Sequence, residues 1–188
     1  MCENYWVWFY PKPRTAHPAL DDTGNRVSTS QNNPDLFFLA GPVDRTEYER
    51  TLRIQAQGKR IFMPILFCTF VESELPQGAD LIGAANKDID ATRFIKVDTS
   101  DSITIEDIRR VRVPKLFEVE VADPPFFEVA YEGKAAQKIR PGKQMASSDG
   151  YWLLTKPLDA GHHTISANAQ TKEDNEWKAG LKYNLEVV

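Results

Sequence analysis

A chain of 188 residues has the length of one ordinary domain and can bury a continuous core without disulfide or metal staples, so residues 1–188 are expected to form a single unit. Hydrophobic residues at 41% and charged ones at 27% argue against a disordered or fibrous chain. A net charge of -4 without a basic stripe argues against nucleic acid as a partner, and no apolar run reaches the roughly 18 to 20 residues that a membrane-spanning helix requires.

The opening run from Tyr5 to Tyr10 reads as an aromatic strand, with Trp6, Trp8 and Tyr10 on one face. It is too short for a signal-peptide core and no basic residue precedes it, so the chain as written is expected to be cytoplasmic. The other reading is an exported or periplasmic protein whose leader has been replaced by Met1. Pro11, Pro13 and Pro18 then break the backbone, because proline cannot donate to a strand ladder. A polar loop rich in turn residues follows from Leu20 to Asn33, and the apolar run from Leu36 to Gly41 predicts a short buried strand.

Tyr48, Arg50, Leu52 and Ile54 alternate with Glu49, Thr51 and Arg53, which is strand periodicity. A hairpin across Gly58 is expected to lead into the most hydrophobic strand, Ile61 to Phe70, with a bulge or edge at Pro64. Between residues 79 and 94 the period changes: Leu81, Ile82, Ala85, Ile89 and Phe94 follow helical spacing, predicting the one substantial helix. Strands with one wet face are read through Ile103 to Val113 and Phe117 to Val121, then a surface loop from Ala130 to Gln144. Tyr151 to Leu154 and His163 to Ile165 form a closing pair, and Leu181, Tyr183, Leu185 and Val187 a terminal alternating strand. Many short strands with one inserted helix define a mainly β chain, an antiparallel β-sandwich or jelly-roll-like domain.

Several short pieces, in order, resemble a family of uncharacterised, mostly bacterial proteins that are often exported. They are Trp6-Val7-Trp8, His17-Pro18, Asp22-Thr23-Gly24, Phe38-Leu39-Ala40-Gly41, Phe62-Met63-Pro64-Ile65, Ser148-Asp149-Gly150-Tyr151-Trp152, Lys156-Pro157-Leu158, His163-Thr164-Ile165 and Tyr183-Asn184-Leu185. The resemblance implies an antiparallel sandwich and brings no activity or catalytic residues. The chain departs from it by having Asn25-Arg26-Val27 where a cysteine is usual, and by lacking the family's export signal.

Cys2 and Cys68 allow at most one disulfide and exclude a multi-cysteine zinc site. Cys68, beside Phe67 and Phe70, reads as a small hydrophobe; Cys2 reads as a free thiol or a lipid-anchor cysteine. Asp21, Asp22, Glu72 and Glu74 are loop acids that would suit calcium if the loops met, although no calcium-loop spacing is present. Of the histidines, His163 reads as a fastening residue bonded to a backbone carbonyl rather than a ligand. Trp6, Trp8, Tyr10, Tyr151 and Trp152 read as sandwich core, with a ring platform for a sugar or flat ligand as the alternative.

No nucleophile elbow or phosphate-cradling glycine loop occurs. The leading expectation is therefore a non-enzymatic sandwich that binds a small molecule or carbohydrate, or acts as an adaptor, through Trp8, Asp22, Glu72, Glu74, Tyr151 and Trp152. One alternative is a hydrolase or isomerase pairing Glu72 or Glu74 with His17 or His163. The other is a homo-oligomer joined through edge strands or the aromatic opening segment.

Overall fold

The computed structural model describes residues 1–21, 25–41, 47–125, 139–171 and 178–188. In chain order these form α1 (Cys2–Phe9), β1 (Leu36–Phe38), β2 (Glu47–Ile54), β3 (Arg60–Val71), α2 (Leu81–Asp90), β4 (Thr92–Thr99), β5 (Ile105–Arg112), β6 (Phe117–Val121), β7 (Gly142–Thr155), β8 (Gly161–Thr171) and β9 (Lys178–Val187). Two sheets pack against each other, which bears out the sandwich. One runs β1-β3-β7-β5, with β6 also pairing to β7; the other runs β2-β9-β8-β4. Most pairings are antiparallel, but β1 with β3 and β2 with β9 are parallel.

Alternation explains the clearest strands. Phe117, Val119 and Val121 are buried while Glu118 and Glu120 are exposed, so β6 lays one apolar face on the core. Leu181, Tyr183, Leu185 and Val187 do the same along β9. In β3 the register shifts between Pro64 and Leu66, the bulge expected at Pro64. The bulge brings β3 close to β7. A Cβ on Gly150 would lie 2.6 Å from the Leu66 carbonyl oxygen, so this position has room for glycine alone.

Several expectations are corrected. The opening run is helix α1, not a strand: Cys2, Tyr5, Trp6 and Phe9 are buried at a spacing of three and four while Val7 is 53% exposed. An eight-residue helix is marginal by itself. It persists because Tyr5 and Trp6 set ring edges on Trp152, and Phe62 stacks on the same indole at 4.9 Å. Secondly, Gly58 turns the chain with a φ of 72°, but β2 and β3 lie in different sheets, so there is no hairpin. The turn instead crosses between sheets and is tied to the β7–β8 connection, Gly58 N–H donating to the Leu158 carbonyl and Leu158 N–H to the Lys59 carbonyl. For the same reason Tyr151–Leu154 and His163–Ile165 are sequential strands of opposite sheets.

The third correction concerns the helix expected over 79–94. It runs only from Leu81 to Asp90, capped by the Asp80 carboxylate accepting from Gly83 N–H at 2.9 Å. Phe94 falls in β4 and is 46% exposed, not on the helix's buried stripe. β7 begins at Gly142, inside the predicted surface loop, and residues 130–138 of that loop lie outside the described residues.

Candidate functional site

The sequence-predicted residues that the structure describes lie in different surroundings. Trp152 is 1% exposed and lies wholly among rings, so it is core and offers no platform. Tyr151 is half-buried on β7. Glu72 accepts from Met145 N–H, and buried Glu74 accepts from Val71 N–H. Burial pushes the Glu74 carboxyl up to about 7, so it holds its proton at mildly acidic pH. Asp21 accepts from Arg26 N–H, and Asp22 lies outside the described residues. Among the described residues no three His, Cys, Asp or Glu side chains are grouped to hold a metal ion.

Two of the three histidines have both ring nitrogens committed. In His17, Nδ1 accepts from Ala19 N–H, so Nε2 carries the proton and donates to the Phe9 carbonyl. Burial lowers this imidazole to about 3, which keeps it neutral. In His163, Nε2 donates to the Asp159 carbonyl and Nδ1 accepts from the Ser102 hydroxyl. Its role as a fastener to a backbone carbonyl matches the sequence reading. Acid–base work by either ring would first have to break these bonds. Cys2 and Cys68 are both free thiols, and the Cys68 thiol donates to Asp88 on α2.

One predicted residue, Trp8, does border a cavity. The helix α1 ends at Phe9 with its last carbonyls exposed to capping, and side chains take two of them: Lys12 Nζ donates to the Trp8 carbonyl, and His17 to that of Phe9. The Lys12 ammonium thereby rests 4.3 Å from the centre of the Trp8 ring. Beside it lies a groove of about 450 Å³, between α1 and residues 30–38. Val7, Trp8, Pro11, Pro34 and Phe38 make its apolar walls; Asn4, Ser30, Asn32 and Asn33 make its polar rim. Lys12 is the charged residue of the lining.

The far wall is held stiffly. Trp8 Nε1 donates to the Thr29 carbonyl at 3.1 Å. The Gln31 amide donates to the carbonyls of Val27 and Phe38 and accepts from Phe38 N–H, pairing with β1 as a neighbouring strand would. Asn33 Oδ1 accepts from both Asp35 and Leu36 N–H. Between these anchors Ser30 has a φ of 59°, and it is the sole non-glycine positive φ among the described residues. Such backbone survives where its surroundings over-determine it, as they do around binding sites.

Burial without a carboxylate lowers the Lys12 amine to about 8. The sequence signal for this site was weak. Lys12 stands four residues after Trp8, between Pro11 and Pro13, and reads as loop until the preceding segment is known to be helix. Two other depressions are more polar: one lined by Ser28, Gln31, Arg53 and Lys59, and one on the second sheet beside His162, Asn184 and Glu186.

No family model and no curated protein matches the chain. Among solved structures it is similar to the cysteine protease inhibitor EhICP2 from Entamoeba histolytica, at 13% identity and a TM-score of 0.36, covering 82% of this chain and 96% of that one. It is also similar to Amebosin, at 10% identity and a TM-score of 0.24, covering 82% and 100%. Both scores fall below the level at which two chains share a fold, so neither speaks for this chain's partners. No helix among the described residues is long and apolar enough to cross a membrane.

Proposed function

We propose that this chain is a non-enzymatic binding protein that holds a small organic molecule in the groove between α1 and residues 30–38. The observation that carries the reading is the Trp8–Lys12 pair on an apolar-walled cavity of about 450 Å³. Ligand sites combine mostly apolar walls with a few fixed polar groups at this scale of volume. The rigid far wall lowers the ordering cost of binding. The aromatic contribution comes from the face of Trp8 that borders the groove, while the ring platform across Trp152 is replaced by core.

Fragment binding followed by the Trp8 indole N–H resonance tests this. Flat aromatic fragments are expected to shift that resonance, and Val7→Trp, at an exposed wall position, is expected to fill the groove and abolish the shift while leaving the fold intact. Fragments that bind equally well to Val7→Trp, or that leave the Trp8 signal unmoved, would remove the groove as the site.

A further inference from the structure

We infer that the groove selects a monocarboxylate: a small acid whose apolar body lies against Trp8 and Phe38 and whose carboxylate pairs with the Lys12 ammonium. This rests on the groove reading and adds the chemical class of the ligand.

Three observations point the same way. First, Lys12 is buried to 7% exposure yet has no carboxylate within ion-pair reach among the described residues; its contacts are the Trp8 carbonyl and the Trp8 ring. A carbonyl and a ring face offset part of the ammonium's lost hydration but leave its full charge unmatched. Secondly, an ammonium has three donors and one is used among the described residues, so two remain for an oxygen ligand. Thirdly, among the described residues no acidic side chain lines the groove, and the charge that an incoming anion meets there is the Lys12 ammonium. Apolar walls lower the local dielectric and strengthen that attraction relative to water.

The charge count also sets the ligand's charge. A phosphate would call for several cationic donors or an arginine fork, whereas a single ammonium matches one carboxylate. Amide groups of Asn4 and Asn32 stand on the rim, where they are exposed and able to hydrogen-bond a polar substituent. The competing view is that Lys12 is only the C-terminal cap of α1. A cap whose remaining donors turned away from the groove would show little preference between an anion and its neutral isostere.

Naphthaleneacetate and its neutral amide, naphthaleneacetamide, have nearly the same shape and differ in charge. Calorimetric titration of the full chain at neutral pH is expected to show the acid binding about tenfold tighter than the amide. Lys12→Met should bind both compounds equally, whereas Lys12→Arg should keep the preference. Circular dichroism of both variants establishes that they are folded. A preference that survives in Lys12→Met, or equal binding of acid and amide to the parent chain, overturns the monocarboxylate assignment while leaving the groove. If neither compound binds and Val7→Trp changes nothing, the groove reading falls as well.

Discussion

Among the described residues two buried cations sit over aromatic rings, and they are held differently. Arg50, 4% exposed, lies 4.2 Å from the centre of the Tyr48 ring and donates to the carbonyls of Pro18 and Ala19. It clamps the segment after α1 onto β2, and its charge is spread over fixed acceptors deep in the protein. Lys12 has a ring at nearly the same distance but a single carbonyl, and it opens on a groove. A ring under a cation therefore does not mark a site by itself; what sets Lys12 apart is donors left over beside open space.

Removing Arg50 gives the largest expected effect. Arg50→Met strands the buried carbonyls of Pro18 and Ala19, and it should destabilise the fold by about 3 kcal/mol in urea unfolding. A loss below about 1 kcal/mol would mean that the clamp is dispensable and that the two cations are alike. Glu74 shows a third way to bury an ionisable group, which is to give up its charge. Its folded-state carboxyl lies near 7 against an ordinary 4.5, so the native state binds the extra proton between those values. Stability should consequently fall as pH rises through that window, by on the order of 2 to 3 kcal/mol. Glu74→Gln, which can still accept from Val71 N–H, should flatten that slope in thermal melts across the window.

The smallest effect is expected at Lys12. Lys12→Met should change stability at neutral pH by only about 1 kcal/mol, in the stabilising direction, because the Trp8 carbonyl and ring already offset part of the ammonium's lost hydration. The sign can be checked by pH. The folded amine is lowered to about 8 from 10.5, so the unfolded chain binds more protons between those values and the parent gains stability as pH rises through them. The gap between variant and parent in urea midpoints should shrink over that range. A large destabilisation by Lys12→Met would instead make Lys12 a second Arg50, a fastener rather than a binding group.

Much of the sandwich was legible where one face is wet. The alternation in β6 and β9, the bulge at Pro64 and the carbonyl-bonded His163 all follow from side-chain pattern or local chemistry. The opening segment misled because its residues are strand formers by propensity, while their burial at Cys2, Tyr5, Trp6 and Phe9 has helical spacing. Propensity was overridden by tertiary packing against Trp152 and Phe62. The crossing at Gly58 and the parallel partner of β2 are long-range pairings that no local pattern encodes. The groove was hidden for the same reason. Trp8 was visible as an aromatic, but its meeting with Lys12, Ser30 and Asn33 depends on a helix end facing a distant loop.

The helix that supplies one wall of the groove carries contacts of very long sequence span. Cys2 faces Ser148 across 146 positions, and Tyr5 and Trp6 rest on Trp152. Such non-local topology slows folding, because chain ends must meet before either is rewarded. During synthesis α1 leaves the ribosome well before β7, with its aromatic face bare and its seat not yet translated. The groove is thus a late property of the nascent chain, and a ribosome stalled before residue 152 would display α1 without the surface that holds it in place.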